Sequence, residues 1–180
     1  DNRIAQEKDQ VSTDWTSQED KDWFWNRTAE AGAIVMGSTT FFATRKPGWP
    51  LPERMNYVLT GDTQALWQRY KSDEEREQIR QKKNLAFVTG SPAEIIARAV
   101  ADGFTELAVC GGTSVYTAFM EAGLLQTLYL TRENSVSFDG KGLPLFSTVD
   151  VDKYLERACE LISEKTVNDR ETVFQEWKVK

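Results

Sequence analysis

The sequence predicts an α/β fold of three layers, with a mostly parallel central sheet between helices and an antiparallel hairpin at the C-terminus. Three observations carry this expectation. Short apolar runs alternate with helical stretches from Ala33 to Thr131, and strand-helix-strand order calls for parallel crossovers covered on both faces. A double glycine, Gly111-Gly112, stands between an apolar run and a helix start. Near the end, Tyr154 to Glu164 and Thr172 to Val179 read as long strands joined near Asn168-Asp169. The chain of 180 residues, 40% of them hydrophobic, reads as one domain able to bury a core without disulfides or metal.

The elements follow in order. Thr16 to Gly32 reads as a helix, with Ser17 as N-cap, Asp20 at the third helical position and Trp23, Phe24 and Arg27 at helical spacing. Gly32 closes it, and Ala33-Ile34-Val35-Met36 is a strand. A Gly/Pro-rich loop, Lys46 to Pro52, leads to a second strand, Asn56 to Thr60. The charged stretch from about Gln64 to Lys83 has few apolar residues and reads as a solvated helix or surface insertion. Leu85 to Thr89 is a strand. Ser91-Pro92-Ala93-Glu94 then combines an N-cap, a proline at the first helical position and a capping-box glutamate, opening a helix that runs to Gly103. Leu107 to Cys110 is the next strand, Ser114 to Ala122 a helix stopped by Gly123, and Leu128 to Thr131 another strand.

Composition excludes several chemistries. The chain has no histidine, which removes the commonest general base, the commonest zinc ligand and every Ser-His or Cys-His triad. Proton chemistry must run through carboxylates, Tyr, Lys or water, and no metal is implied. Cys110 and Cys159 lie far apart and suggest neither a disulfide framework nor a metal cluster. Cys110 ends an apolar run and reads as a small core residue. A net charge of −6 argues against nucleic acid as the main partner. No apolar run approaches the ~20 residues that span a bilayer, and the first ten residues, polar and charged, carry no secretory pattern. A cytoplasmic protein acting on a small molecule is the expectation. The first residues read as a loop, and the opening at Asp1, without methionine, reads as a start trimmed upstream.

Gly111-Gly112-Thr113-Ser114 lets backbone approach a ligand closely, and the free N–H groups of a helix start favour an anion. On the glycines alone, a tight turn with no ligand is an equal reading. It is not the GxGxxG of an ordinary dinucleotide-binding domain. The run Gly111-Gly112-Thr113-Ser114-Val115-Tyr116, then Phe119 and Leu128-Tyr129-Leu130-Thr131, resembles the signature of dihydrofolate reductases and of the related reductase domains of riboflavin biosynthesis. The resemblance implies the dihydrofolate reductase-like fold and NADPH as cofactor. By it, Gly111 and Gly112, with Thr113, Ser114 and Val115, meet the cofactor phosphates, and Tyr116 lies near the nicotinamide. Met36-Gly37-Ser38-Thr39-Thr40 resembles the family turn that cradles the cofactor from the other side. Ser38 stands where many members carry an arginine for the 2′-phosphate, and Gly61 where a hydroxyl residue often helps. Ser38, Thr39 and Thr60 can still donate hydrogen bonds. The family's first, interior strand would precede Asp1.

At the substrate end, Asp20, Trp23 and Phe24 match the family's acidic residue and Trp-Phe pair. By resemblance Asp20 binds the amino-pyrimidine edge of a pterin, because a carboxylate accepts two parallel N–H bonds with strong geometric selectivity. Capping and the helix dipole alone would also account for an acid there. Phe24, one turn on, can pack on the ring. Trp15 matches the tryptophan of the active-site loop, and Thr131 the threonine in the carboxylate's network. Pro50-Leu51-Pro52-Glu53-Arg54 resembles a family run in which the leucine touches the substrate's aromatic tail and the arginine its carboxylate. A solvated loop charge is the plainer account of Arg54. Lys21 takes a position that is usually apolar. Three functions stay open: dihydrofolate reduction, favoured by the Asp-x-x-Trp-Phe arrangement; reduction of a ribosylamino-pyrimidine phosphate, favoured by Trp15-Thr16-Ser17; and nucleotide binding without catalysis.

Overall fold

The computed structural model of the chain describes residues 2–8, 10–44, 46 and 48–180. Asp1, where the chain opens, and Pro47 of the Gly/Pro-rich loop lie outside the described residues. In chain order the elements are β1 (Arg3–Ala5), α1 (Gln18–Ala31), β2 (Ala33–Gly37), α2 (Ser38–Ala43), β3 (Met55–Leu59), α3 (Thr63–Trp67), α4 (Asp73–Arg80), β4 (Leu85–Val88), α5 (Pro92–Ala101), β5 (Ala108–Val109), α6 (Thr113–Glu121), β6 (Thr127–Glu133), β7 (Leu143–Pro144), α7 (Val151–Ala158), β8 (Cys159–Thr166) and β9 (Thr172–Val179). Among the described residues no helix is long and apolar enough to cross a membrane.

The strands form a parallel sheet in the order β4-β3-β2-β5, an antiparallel sheet in the order β6-β9-β8, and the small pair β1-β7. Strand β2 is central and buried from Ala33 to Met36. Its side chains alternate between two cores, as the two-residue strand period requires. Ala33 and Val35 join Tyr57, Ile95, Ala99, Val115 and Phe119 on the face covered by α5 and α6. Ile34 and Met36 join Phe41, Val58, Leu66, Tyr70 and Ile79 on the other. A third core, Leu128, Phe146, Val151, Leu155 and Cys159, lies between the antiparallel sheet and α7. The result is the expected α/β architecture, a parallel sheet covered on both faces and an antiparallel C-terminal hairpin.

Local chemistry sets the helix boundaries. Ser17 Oγ accepts from the Asp20 N–H, and Gly32 ends α1 in the left-handed conformation at φ 74°. Ser91 and Glu94 form a full capping box at α5. The β8–β9 turn is closed by Asn168 Oδ1, which accepts from the Arg170 and Thr172 N–H groups.

Three expectations are corrected. The 64–83 segment is helical, as one of its two readings had it, but not merely a solvated surface piece: α3 and α4 turn Leu66 and Ile79 onto the sheet, and the connection between them adds Tyr70, while the charged side chains face water. Few apolar residues suffice, because each helix is short and buries one edge. The C-terminal strand expected from Tyr154 begins only at Cys159, since Asp150 caps a helix through the Lys153 N–H and Val151, Leu155 and Cys159 follow at helical spacing. The opening residues, expected as loop, include β1, pinned by Arg132, whose guanidinium donates to Asn2 and Asp152.

Replacing Ile79, 2% exposed, with alanine is expected to destabilise the chain by about 2–4 kcal/mol, while Gln78→Ala on the exposed side of α4 stays within about 0.5 kcal/mol. Denaturant midpoints of the two variants check this.

Candidate active site

After β4 the chain crosses back and lays β5 on the far side of β2, so the direction of winding reverses beside the carboxyl end of β2. Open parallel sheets bind ligands in the crevice at such a point. Here the Gly37 N–H donates to Gly111 O at 2.8 Å. The approach is close: a Cβ on Gly37 would lie 3.2 Å from Val115 Cγ2, one on Gly112 3.1 Å from Thr40 Oγ1, and one on Gly111 2.8 Å from the Tyr116 ring. Gly111 also takes φ 94°, a conformation that side chains resist.

The helices opening here differ from the rest. α1, α3, α4, α5 and α7 are each capped by their own Ser17, Asp62, Ser72, Ser91 or Asp150 side chain. α2 and α6 begin at Gly37 and Gly112 without a side-chain cap. The first N–H groups of α6 therefore line the crevice without a side-chain cap among the described residues, which suits a phosphate. Thr60 on the neighbouring strand end and Ser38, Thr39 and Thr40 of α2 line the same space. Position 38 has no cation, but Arg69, stacked 3.9 Å over Phe42, donates to Ser38 O at 3.4 Å and brings one to that rim. These residues fit a dinucleotide carrying phosphates.

The crevice continues into a cavity of about 1510 Å³ between the two sheets, bounded by α1, β6 and the segment before α1. Asp20 projects into it from the first turn of α1. Burial raises its pKa above the usual carboxylate range, the charge of Glu133 adds to that, and the Thr131 and Thr16 hydroxyls and Lys21 oppose it. Trp15, edge-on to Phe138 with ring centroids 5.2 Å apart, and Phe24 form apolar walls. Trp15 Nε1 is buried without a hydrogen-bond partner, a donor available to a ligand or water. Burial pushes up the Tyr116 hydroxyl, and the nearby Cys110 and Asp20 push it in the same direction. Cys110 has its thiol pushed up to about 12 by burial and so stays an unreactive wall residue.

The cavity wall thus brings together Asp20, Trp15, Thr131, Tyr116, Phe24 and Leu51 with Gly37, Ser38, Thr39, Thr40, Thr60, Gly111, Gly112, Thr113, Ser114 and Val115. Arg54 is the exception. It is 3% exposed and does not line the cavity. Its guanidinium donates to Pro52 O, Trp25 O and Thr28 Oγ1 and lies 4.5 Å over the Trp25 ring, tying the loop to α1. Only Nη2 lacks a partner, so Arg54 is neither a solvated charge nor, in this arrangement, open to a substrate carboxylate. Lys21 does line the cavity beside Asp20. Sequence reading missed Glu133, a buried carboxylate on the cavity wall. Strand periodicity held the signal, because Glu133 lies two residues beyond Thr131 and shares its face.

Comparison with known proteins follows this geometry. The sequence pattern described as dihydrofolate reductase matches residues 8–179. No curated protein matches the sequence. Among solved structures, a protein assigned by name to riboflavin biosynthesis from Shewanella sp. PV-4 superposes with TM-score 0.70 at 21% identity, covering 100% of this chain and 93% of its own. Dihydrofolate reductase from Enterococcus faecalis, complexed with NADP(H) and RAB-propyl, gives TM-score 0.65 at 20% identity, with 98% and 89% covered. A pyrimidine reductase-like protein from Corynebacterium diphtheriae gives 0.64 at 19%, with 94% and 84% covered. At these identities the structural likeness is one of fold; with a family match over nearly its whole length, the chain belongs to the dihydrofolate reductase family.

Proposed function

We propose that this chain is an NADPH-dependent reductase whose substrate is dihydrofolate. The family is one of reductases, and the observation that carries the finer reading is Asp20: a half-buried carboxyl, its pKa raised by burial, on a cavity wall shared with Trp15, Phe24 and Thr131. Two oxygens on one rigid turn suit a flat amino-pyrimidine edge, and the aromatic walls suit a pterin ring. Bound NADPH would supply the hydride. Gly111, Gly112 and the start of α6 would hold its phosphates, Arg69 with Ser38 and Thr60 the 2′-phosphate end, and Tyr116 the wall beside the nicotinamide. Asp20 orients the ring, Phe24 and Trp15 exclude bulk water, and the unpartnered Trp15 Nε1 can hold one water where the ring nitrogen gains its proton.

A second reading has its own observation. Lys21 puts an ammonium on the substrate wall, and Arg54 is folded inward, which together suit a phosphate-bearing pyrimidine better than a long acylated tail. Oxidation of NADPH with dihydrofolate, compared with oxidation by a ribosylamino-pyrimidine phosphate, separates the two; turnover on the second alone overturns the folate reading.

Asp20→Asn is expected to lower kcat/KM for dihydrofolate by about 100-fold or more, the scale of a lost buried hydrogen-bonded contact plus a lost proton relay. Because Asp20 holds its proton to higher pH than an ordinary carboxyl, wild-type turnover falls as pH rises through that raised pKa, and the fall disappears in the asparagine variant; a pH–rate series reads both. For the cofactor, Gly112→Ala is expected to weaken NADPH about tenfold. Residue 112 has an ordinary φ of −72°, so the variant folds and only the approach to Thr40 tightens. Quenching of tryptophan fluorescence measures the affinity.

A further inference from the structure

We infer that Glu133 is a positioning residue for Asp20: its buried carboxylate fastens the first turn of α1 to β6 and β9 and sets a negative charge in the neighbourhood of the Asp20 carboxyl. The inference rests on the reading of Asp20 given above. Glu133 is 8% exposed, and both of its oxygens are used. Oε1 accepts the Ser17 backbone N–H at 2.6 Å, and Oε2 accepts the Thr172 hydroxyl at 2.7 Å. Thr172 is the cross-strand partner of Glu133 in the β6–β9 ladder and is fully buried. Ser17 is the N-cap of α1, and its Oγ accepts the Asp20 N–H at 3.3 Å. An unbroken path of hydrogen bonds therefore runs from Thr172 through Glu133 and Ser17 to Asp20, crossing from the antiparallel sheet to the helix that carries the substrate carboxyl.

A neutral side chain of the same shape would serve the fold at least as well, because burying a charge is costly. What the charge adds is a field. Glu133 faces the Ser17 N–H and hydroxyl from α1, the Thr172 hydroxyl from β9 and Arg170 from the β8–β9 turn. Burial works to raise its pKa, yet those donors outweigh burial and hold the carboxyl below the usual range, so it stays ionised at neutral pH. Asp20 faces Thr131 from β6, Thr16, Lys21 and Glu133, while Tyr116 of α6 lies within its field. The pKa values of the two neighbouring carboxyls are driven apart in this arrangement: that of Glu133 is held down by its donors and that of Asp20 is raised.

The test is carbon NMR titration of the Asp20 carboxyl, wild type against Glu133→Gln, which keeps the shape and one acceptor. The Asp20 titration is expected to move to lower pH, and the falling limb of the pH–rate curve with it. An Asp20 titration that superposes on the wild type overturns the electrostatic part. Thr172→Val separates anchoring from charge. It leaves the Glu133 carboxylate in place, and hydrogen exchange at the Ser17 and Asp20 amides is expected to quicken, with KM for substrate rising a few-fold and NADPH affinity unchanged. Exchange equal to wild type overturns the anchoring part. The two deciding readouts, the Asp20 titration and the amide exchange, are made on the free protein, so they stand apart from whether dihydrofolate is turned over, which decides the reading of the pocket.

Discussion

Because the parallel ladder ends at β5 and the antiparallel ladder begins at β6, the two sheets are joined among the described residues by helices and side chains rather than by strand pairing. Helix α1 spans them. Its N-terminus is held to the antiparallel sheet by Ser17 and Glu133, and farther along Trp23 packs on Tyr129 and Phe174 at 5.2 and 5.8 Å. Its far end is held to the parallel sheet by Arg54, which donates to Trp25 O and Thr28 Oγ1, and by Gly32 O, which accepts the Met55 N–H. On the other side α6 sends Val115 and Phe119 into the parallel-sheet core and Tyr116 and Met120 into the core of the antiparallel sheet. The large cavity is the space these two helices keep open, and Asp20 and Tyr116 face it because each sits on a bridging helix.

The division of labour between the two ends of the cavity follows from backbone and side-chain chemistry. At the parallel-sheet end the groups on offer are mostly N–H donors and hydroxyls around three glycines, with Arg69 at the rim, a surface for phosphates. At the α1 end the groups are carboxyls set among aromatic rings, a surface for a flat ring with N–H donors. In the proposed reduction, with no histidine in the chain, proton handling falls to Asp20, whose pKa burial and the neighbouring Glu133 both raise.

Much of this was legible in the sequence because it is local. The N-cap Ser17, the stop at Gly32, the capping box Ser91–Glu94 and the turn at Asn168 depend on residues within a few positions of one another, and all form as read. The parallel strands were legible because central strands are continuous apolar runs. What was not legible depends on distant partners. Ile79 and Leu66 look isolated within a charged stretch until the sheet supplies the surface they cover. Tyr154 to Ala158 runs without a break into the strand that follows, and the packing of Leu155 with Leu128 and Phe146 holds it as a helix. Arg54 reads as a ligand for a substrate carboxylate or as a solvated loop charge, and only the fold brings Thr28 and Trp25 to it. Glu133 gains its role from Ser17, 116 positions away in sequence.

The most direct measurement is a crystal structure of the chain with NADP⁺ and folate bound together. The account predicts the amino-pyrimidine edge of the pterin on Asp20, its ring between Phe24 and Trp15, and the pyrophosphate over Gly111-Gly112 at the start of α6. A pterin seated elsewhere, with Asp20 touching only water or protein, would contradict it.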